Sequence, residues 1–166
     1  MARSSPSPRW ILLLPLLLFG TTPSAGQTQE AGTLQEMEVL GVTADGRGQA
    51  QILLRSKQDR RGLSMAIDPF AAVGIALPLE GVTPPRPYTH DLILDLFRRF
   101  DVTLTRAVIT ELKDNTYYAT LVLEVDGREV LVDSRPSDAV ALALRVKAPI
   151  LATEALLNAK PSGTQP

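Results

Sequence analysis

The apolar positions of the chain follow two different repeats from residue 36 onward. Alternating runs such as Leu63, Met65 and Ile67 predict strands, because successive side chains of a strand point to opposite faces. Such strands are predicted over 37–42, 50–54, 63–67, 102–112, 116–125, 129–132 and 149–151. Helical spacing predicts helices over Phe70–Leu79, His90–Asp101 and Pro136–Arg145, with a short fourth helix ending at Asn158. This irregular order predicts an α+β fold, a single domain with a mixed, mainly antiparallel sheet packed by three to four helices.

Turn and cap residues set the boundaries of these elements. Asp114-Asn115 and Asp126-Gly127 predict tight turns that join three strands into an antiparallel meander. Asp68 before Pro69 is typical of a helix N-cap followed by proline at the first helical position. The helix after it is apolar nearly all round, which predicts that it is buried.

The helix at 90–101 has a clearer pattern. Thr89 is predicted to cap it, and its apolar positions share one helical repeat, which predicts that they face the core: Leu92, Ile93, Leu96, Phe97 and Phe100.

Residues 1–26 have the pattern of a secretory signal peptide. Arg3 and Arg9 precede an uncharged, leucine-rich run from Trp10 to Phe19, and small residues follow at 24–26. The apolar run is shorter than the roughly 20 residues that span a bilayer. We therefore expect export to the periplasm or the extracellular space, with membrane contact only during export. A retained N-terminal membrane anchor is the alternative.

The rest of the chain divides into a linker at 27–35, a domain at 36–159 and a polar tail at 160–166. The chain has no cysteine and one histidine, which excludes a cysteine nucleophile, a disulfide and a multi-histidine metal site within one chain. Phosphate-loop, dinucleotide and serine-hydrolase motifs do not occur, so no nucleotide or organic cofactor is expected. The net charge of −1 gives no overall attraction to nucleic acid, so any such contact is local.

The only histidine lies in the segment Arg86–Asp91, at the predicted start of a helix. A histidine beside an aspartate can act as a general base near neutral pH, and a helix N-terminus attracts anions such as phosphate. In the alternative interpretation, Thr89 and Asp91 cap the helix and His90 is a surface residue.

A second candidate is the segment Asp133–Asp138, at a predicted strand-to-helix junction. Its two carboxylates suit a hard divalent cation, and Arg135 suits a phosphate oxygen. The alternative is a structural role, in which Asp133 pairs with Arg135 and Ser137 or Asp138 caps the helix.

Two weaker candidates are also visible. Glu111 and Lys113 lie on one face of a strand, as the acid and lysine of metal-dependent nucleases do, but a solvated strand end explains them as well. The four basic residues of the turn at 55–61 could bind phosphates, but a solvated hairpin tip is the simpler interpretation.

Four segments resemble, in order, the motifs of the bifunctional nuclease domain family: Ile67–Gly81, Arg86–Leu92, Thr110–Ala119 and Asp133–Leu142. The resemblance extends from about Glu36 to Asn158. It implies an α+β domain that tends to self-associate, and nuclease activity on both DNA and RNA.

The resemblance also implies particular site residues. The family's motif positions correspond here to Arg86, Thr89, His90, Asp91, Lys113, Asp114, Asp133, Arg135, Ser137 and Asp138. We expect the catalytic residues to be His90, Asp91, Asp133 and Asp138. Substrate binding is expected at Arg86, Thr89, Lys113, Arg135 and Ser137. Asp133 and Asp138 are expected to hold a divalent cation, Mg²⁺ or Mn²⁺.

Two positions depart from the family pattern. Asp68 replaces a usual glycine after the third strand, and Ala71 replaces a usual glutamate in the first helix. If that glutamate is essential for catalysis in the family, the chain lacks an essential group.

These observations leave two hypotheses. The first is a homo-oligomeric nuclease-like domain that hydrolyses DNA and RNA with metal assistance and little sequence specificity. The second is a non-catalytic exported domain for binding or homo-oligomeric assembly that keeps the same fold. His90 and the acidic cluster favour the first, whereas Ala71 and the slightly acidic charge favour the second.

Overall fold

The computed structural model of the chain describes residues 33–158. Its strands are β1 (Leu34–Ala44), β2 (Ala50–Ser56), β3 (Gly62–Ala66), β4 (Val102–Lys113), β5 (Thr116–Val125), β6 (Arg128–Ser134) and β7 (Ile150–Thr153). Its helices are α1 (Pro69–Leu79), α2 (Thr89–Arg99), α3 (Pro136–Val146) and α4 (Glu154–Asn158). The seven strands form one sheet in the order β3-β2-β1-β7-β4-β5-β6. Only β4 and β7 pair in parallel, which confirms the predicted α+β fold with a mixed, mainly antiparallel sheet.

The meander β4-β5-β6 is built by two-residue turns. Asp114 and Asn115 have φ of 48° and 58°, and Asp126 and Gly127 have φ of 51° and 70°. Positive φ at both central residues gives the turn a twist that matches the twist of the paired strands. The predicted meander is therefore confirmed, and it leaves β6 at one edge of the sheet.

The described residues begin just before β1. Leu34 and Gln35, the last residues of the predicted linker, already pair with Thr153 and Ala152 of β7. The predicted signal peptide, the rest of the linker and the polar tail lie outside the described residues. Among residues 33–158, no helix is long and apolar enough to cross a membrane.

Helix α3 is the most buried helix among residues 33–158. Residues 139–143 are each at most 2% exposed, and the helix packs on β4 and β5 as well as on α1 and α2. Small side chains permit this close packing, since a Cβ built on Gly74 of α1 would lie only 3.7 Å from the Cβ of Ala141. The small residues in the middle of α3 therefore allow α1 to pack closely against it.

The prediction that α1 is a buried helix is wrong. Its cap is as expected, because the Asp68 carboxylate accepts a hydrogen bond of 2.8 Å from the Phe70 N–H. Only Gly74 and Ile75 are buried, however, and Phe70 is 88% exposed. The helix packs on α3 and on the sheet around Gly74 and Ile75, and the rest of its apolar sequence, including Phe70 in the first turn, faces solvent.

Helix α2 also differs from its prediction. The N-cap position is Tyr88, and the Tyr88 N–H donates to the Asp91 carboxylate at 2.9 Å, while Thr89 is already the first helical residue. Leu94 is the buried residue, whereas Leu92 is 54% exposed. Since α2 contacts α3 and β4, only the side that bears Leu94 and its neighbours reaches the core. Leu96 and Phe100, predicted to face the core, are exposed instead.

Candidate active site

A cleft of about 540 Å³ lies beside the starts of α1 and α3. Its walls are the end of β3 with the link to α1 (64–68), the β4–β5 turn (115–117) and the start of α3 (135–137). Helices α1 and α3 run side by side in the same direction, because Asp68 and Arg135 both line the cleft while Gly74 contacts Arg145 farther along. Side chains at the starts of both helices therefore line the cleft.

Three predicted site residues form a hydrogen-bonded chain at this place. The Nε2 atom of His90 lies 3.1 Å from Oδ1 of Asp138. Arg135 donates to the same carboxylate twice, from Nε to Oδ2 at 2.7 Å and from Nη2 to Oδ1 at 3.2 Å. The structure thus unites one residue of the Arg86–Asp91 segment with two of the Asp133–Asp138 segment, 48 residues apart.

Exposure decreases along this chain. The Arg135 side chain is 68% exposed, that of Asp138 30% and that of His90 13%. Burial alone would raise the pKa of Asp138, but the hydrogen bonds from Arg135 and His90 outweigh burial and lower it. The pKa of Arg135 is raised by its bond to Asp138. The ionised Asp138 carboxylate therefore connects an accessible guanidinium to a shielded imidazole.

Gly74 makes room for the imidazole ring. A Cβ at this position would lie 2.7 Å from Cε1 of His90 and 3.0 Å from its Nδ1. Such distances are too short for unmoved atoms, so any larger residue would displace either the ring or α1. The glycine lets the His90 ring lie directly against the backbone of α1.

Asp91, predicted to be catalytic, lies in a separate ion pair. Its Oδ1 accepts from Nε of Arg145 at 2.7 Å, and Oδ2 accepts from the backbone of Tyr88. The Arg145 side chain is 10% exposed and also donates to the carbonyls of Gly74 and Ala141 at 2.6 and 2.8 Å. Burial would raise the pKa of Asp91, but the hydrogen bonds that its carboxylate accepts from Arg145 and Tyr88, together with the Arg145 charge, lower it. This pair connects α1, α2 and α3.

Asp133 does not join Asp138. It pairs with Thr120 in the sheet, while its neighbours Val132 and Ser134 pair with the buried residues Leu121 and Ala119. Because strand side chains alternate, Asp133 lies on the face of the sheet opposite to α3. Among residues 33–158, no group of three or more His, Asp or Glu could hold a metal ion. Asp133 and Asp138 therefore do not fit a shared cation site in this arrangement.

The remaining predicted residues are more scattered. Ser137 is 6% exposed and lines the cleft. Lys113 pairs with Thr116 at the base of the turn that forms one wall. Arg86 lies in the proline-rich link before α2, and Thr89 is an exposed residue of its first turn. Asp114 is in the β4–β5 turn.

The basic turn at 55–61 is neutralised within the domain. Arg55 and Arg60 both contact Glu38, and Lys57 contacts Glu36. Arg61 contacts Glu154 at 2.5 Å, and its hydrogen bonds hold the pKa of Asp59 at about 2. These pairs favour the solvated hairpin over a phosphate-binding surface.

Sequence reasoning missed three residues of this region. Arg145 lies seven positions after Asp138, so helical periodicity places both on one side of α3, but its partner Asp91 is 54 residues away. Gly74 and Phe70 carry no local signal, because their importance depends on how α1 packs against its neighbours.

The fold and the site together define a class, an α+β domain with a histidine, a carboxylate and an arginine beside one cleft. The family model described as "Bifunctional nuclease domain" matches residues 52–164. The chain belongs to this family, which confirms the resemblance found in its motifs.

Individual relatives agree with this membership. Two uncharacterized proteins of Mycobacterium tuberculosis, from strains CDC 1551 and H37Rv, are each 42% identical over 123 residues, which is 74% of this chain and 73% of theirs. Bifunctional nuclease 1 of Oryza sativa subsp. japonica is 32% identical over 75 residues, 43% of this chain and 23% of the rice protein. The chain thus aligns with only about a quarter of the rice protein.

Proposed function

We propose that the protein is a nuclease that hydrolyses phosphodiester bonds in DNA and RNA at the His90–Asp138–Arg135 chain. The observation that carries this proposal is the chain itself, in which one carboxylate bonds both a titratable ring and an exposed guanidinium. Family membership supports a nuclease-like function. Both observations support the proposal that anion binding and proton transfer take place at one end of the cleft.

Arg135 is the proposed phosphate ligand. Its Nε and Nη2 atoms bond Asp138, which holds the planar guanidinium in one orientation, and Nη1 has no hydrogen bond to the described residues. A guanidinium fixed in this way can donate to a phosphate oxygen at low entropic cost. The buried hydroxyl of Ser137 lies in the same wall of the cleft.

His90 is the proposed general base. When its Nε2–H donates to Asp138, the other nitrogen, Nδ1, is the proton acceptor of the neutral ring. In this scheme a water molecule reaches Nδ1 through the 13% of the His90 side chain that is exposed, gives its proton to Nδ1 and attacks the phosphorus atom. Asp138 orients the ring and stabilises the imidazolium that forms, and the imidazolium passes the proton to the leaving oxygen as the P–O bond breaks. Asp138 is a positioning residue in this scheme.

The proposal differs from the sequence hypothesis in the roles of three residues, Asp91, Asp133 and Asp138. Asp91 is assigned to the ion pair with Arg145 and not to proton transfer. Asp138 is assigned to the hydrogen bonds with His90 and Arg135, and no step passes through a metal ion, because Asp133 lies on the other face of the sheet. Dependence on Mg²⁺ or Mn²⁺ remains a prediction, as do roles for Arg86, Thr89 and Lys113.

The test is cleavage of labelled single-stranded DNA and RNA by purified protein with Mg²⁺, with Mn²⁺ and with chelator. We expect Asp138→Asn to lower the rate by about 100-fold or more, as loss of general-base catalysis does. Asp95→Asn is the matched control, since Asp95 also accepts hydrogen bonds from two side chains, those of Arg98 and Arg99, but both of these partners are exposed and lie outside the site. Melting curves verify that each variant is folded.

The outcomes separate the hypotheses. Equal cleavage by the wild type and Asp138→Asn contradicts the proposed site. Folded protein that binds strands without cleaving them favours the non-catalytic binding domain. Cleavage only with a cation, lost in Asp138→Asn, would return Asp138 to the role of a metal ligand.

Self-association is proposed on a separate observation, the edge strand β6. Val130, Leu131 and Val132 are 41%, 64% and 39% exposed. An unpaired strand edge is a template for another strand. A two-fold axis at Leu131 would pair this residue with itself and Val130 with Val132 of a second copy, so the centre of the edge is apolar and self-complementary, while Glu129 would lie opposite Asp133 and oppose the pairing. Export to the periplasm or the extracellular space remains our proposal for where this assembly works.

A further inference from the structure

Phe70 is the most exposed large apolar side chain of the described residues, at 88%. A single exposed apolar residue needs no functional explanation, so its position must supply the argument. It lies in the first turn of α1, where its own N–H donates to the Asp68 carboxylate, a group of the cleft wall.

Helical geometry places Phe70 beside the proposed site. It precedes Gly74 by four residues, so the two share one side of α1, and Gly74 lies against the ring of His90. Helix side chains lean toward the N-terminus, which for Phe70 is the direction of the cleft. Because α1 and α3 run in the same direction, one turn before Gly74 is also the level of Asp138 and Arg135.

A solvated phenyl ring next to a fixed arginine has a specific chemical use. Nucleobases stack on aromatic side chains irrespective of their sequence, while the neighbouring phosphate binds a guanidinium. We propose that Phe70 is the base-stacking residue of this site, which receives one unpaired base of a nucleic-acid strand whose phosphate binds Arg135. This inference rests on the proposed function, because it assumes that strands bind at the cleft.

The test compares two probes of equal length, an oligothymidine and an abasic strand, both with phosphorothioate linkages to prevent cleavage. We expect Phe70→Ala to weaken oligothymidine binding about tenfold and to leave abasic-strand binding unchanged, since stacking requires a base. Phe70→Trp should retain affinity. Arg135→Ala should weaken both probes, because both keep their phosphodiester-like backbone.

Phe100→Ala is the matched control. Phe100 is 71% exposed at the end of α2, and its loss should change neither affinity. Both phenylalanines are so exposed that neither variant should alter the melting temperature, so a folding defect cannot imitate the result.

Two results overturn the inference while the proposed function stands. They are unchanged oligothymidine binding by Phe70→Ala, and an equal loss on both probes. Wild-type protein that binds neither probe overturns the proposed function itself, and the stacking role falls with it.

Discussion

The Asp91–Arg145 pair is predicted to stabilise the domain and not to take part in catalysis. Arg145 donates to three acceptors on α1, α2 and α3, at 2.6, 2.7 and 2.8 Å. Asp91→Asn keeps the shape of the side chain and an oxygen for the Tyr88 N–H, but it removes the negative charge opposite a guanidinium that is 10% exposed. The variant therefore measures the contribution of the ion pair separately from that of the hydrogen bond at the helix cap.

The magnitude follows from the burial of the two partners. A hydrogen bond to a charged group contributes about 1.5–3 kcal/mol, and the one-third exposure of Asp91 argues for the lower half of this range. We expect Asp91→Asn to lower the free energy of unfolding by about 2 kcal/mol, which corresponds to a decrease of roughly 8 °C in Tm for a domain of this size. Arg145→Met removes all three hydrogen bonds and should cost about 3 kcal/mol.

The assay is urea unfolding followed by circular dichroism, together with cleavage assays well below the lower Tm. Asp95→Asn is the control, because its partners Arg98 and Arg99 are 75% and 70% exposed and the pair should contribute less than about 0.5 kcal/mol. A folded Asp91→Asn variant should cleave at nearly the wild-type rate. Wild-type stability with greatly reduced activity would refute the reasoning and return Asp91 to the catalytic residues.

Three further predictions concern acid stability, assembly and packing. Burial would raise the pKa of Asp91 and Asp138, but hydrogen bonds outweigh burial and hold both pKa values below 3.8. The two ionised carboxylates therefore stabilise the folded state above this pH, and this stabilisation is lost as the pH falls through their pKa values in the folded state. Tm should therefore decrease steeply below about pH 4, and less steeply in Asp138→Asn. In light scattering, Leu131→Lys should dissociate the assembly while Leu40→Lys, a 50% exposed leucine of the inner strand β1, should not; a wild-type monomer at all concentrations contradicts the β6 interface. Ala141→Leu should lower the free energy of unfolding by about 1–3 kcal/mol in urea unfolding, because α1 leaves no space beside it, and an unchanged value would contradict this packing.

The strands and turns could be predicted from sequence because their signals are local. Alternation in β3 and the pairs Asp114-Asn115 and Asp126-Gly127 depend on neighbouring residues only, and the structure confirms them. Which side of a helix is buried depends on distant elements. The exposure of Phe70 and Leu92 therefore could not be derived from helical spacing, which identifies an apolar side but not the element that covers it.

The site shows the same division between local and distant information. Asp133 and Asp138 are five residues apart, and this spacing is compatible both with a shared cation and with a structural role. The residue at the end of a strand and the residue in the next helix nevertheless face opposite sides of the sheet. His90 and Asp138 were found separately as candidates, but their contact depends on how α2 packs against α3. Family motifs named both residues without giving their geometry.

Two neighbouring residues of the Arg86–Asp91 segment belong to different hydrogen-bonded groups, Asp91–Arg145 and His90–Asp138–Arg135. Asp91 fixes α2 to Arg145 in the interior, and one residue earlier His90 reaches the carboxylate of Asp138 on the cleft side. Loss of the first pair lowers the stability of the domain that holds the second, so a variant of Asp91 assayed near its Tm can lose activity by unfolding, without any part in proton transfer. A lower cleavage rate in a variant of this segment therefore identifies a catalytic residue only when the stability of the same variant is also measured. Asp138 bonds both an exposed arginine and the shielded histidine. Its substitution should therefore lower the cleavage rate far more than it lowers the stability.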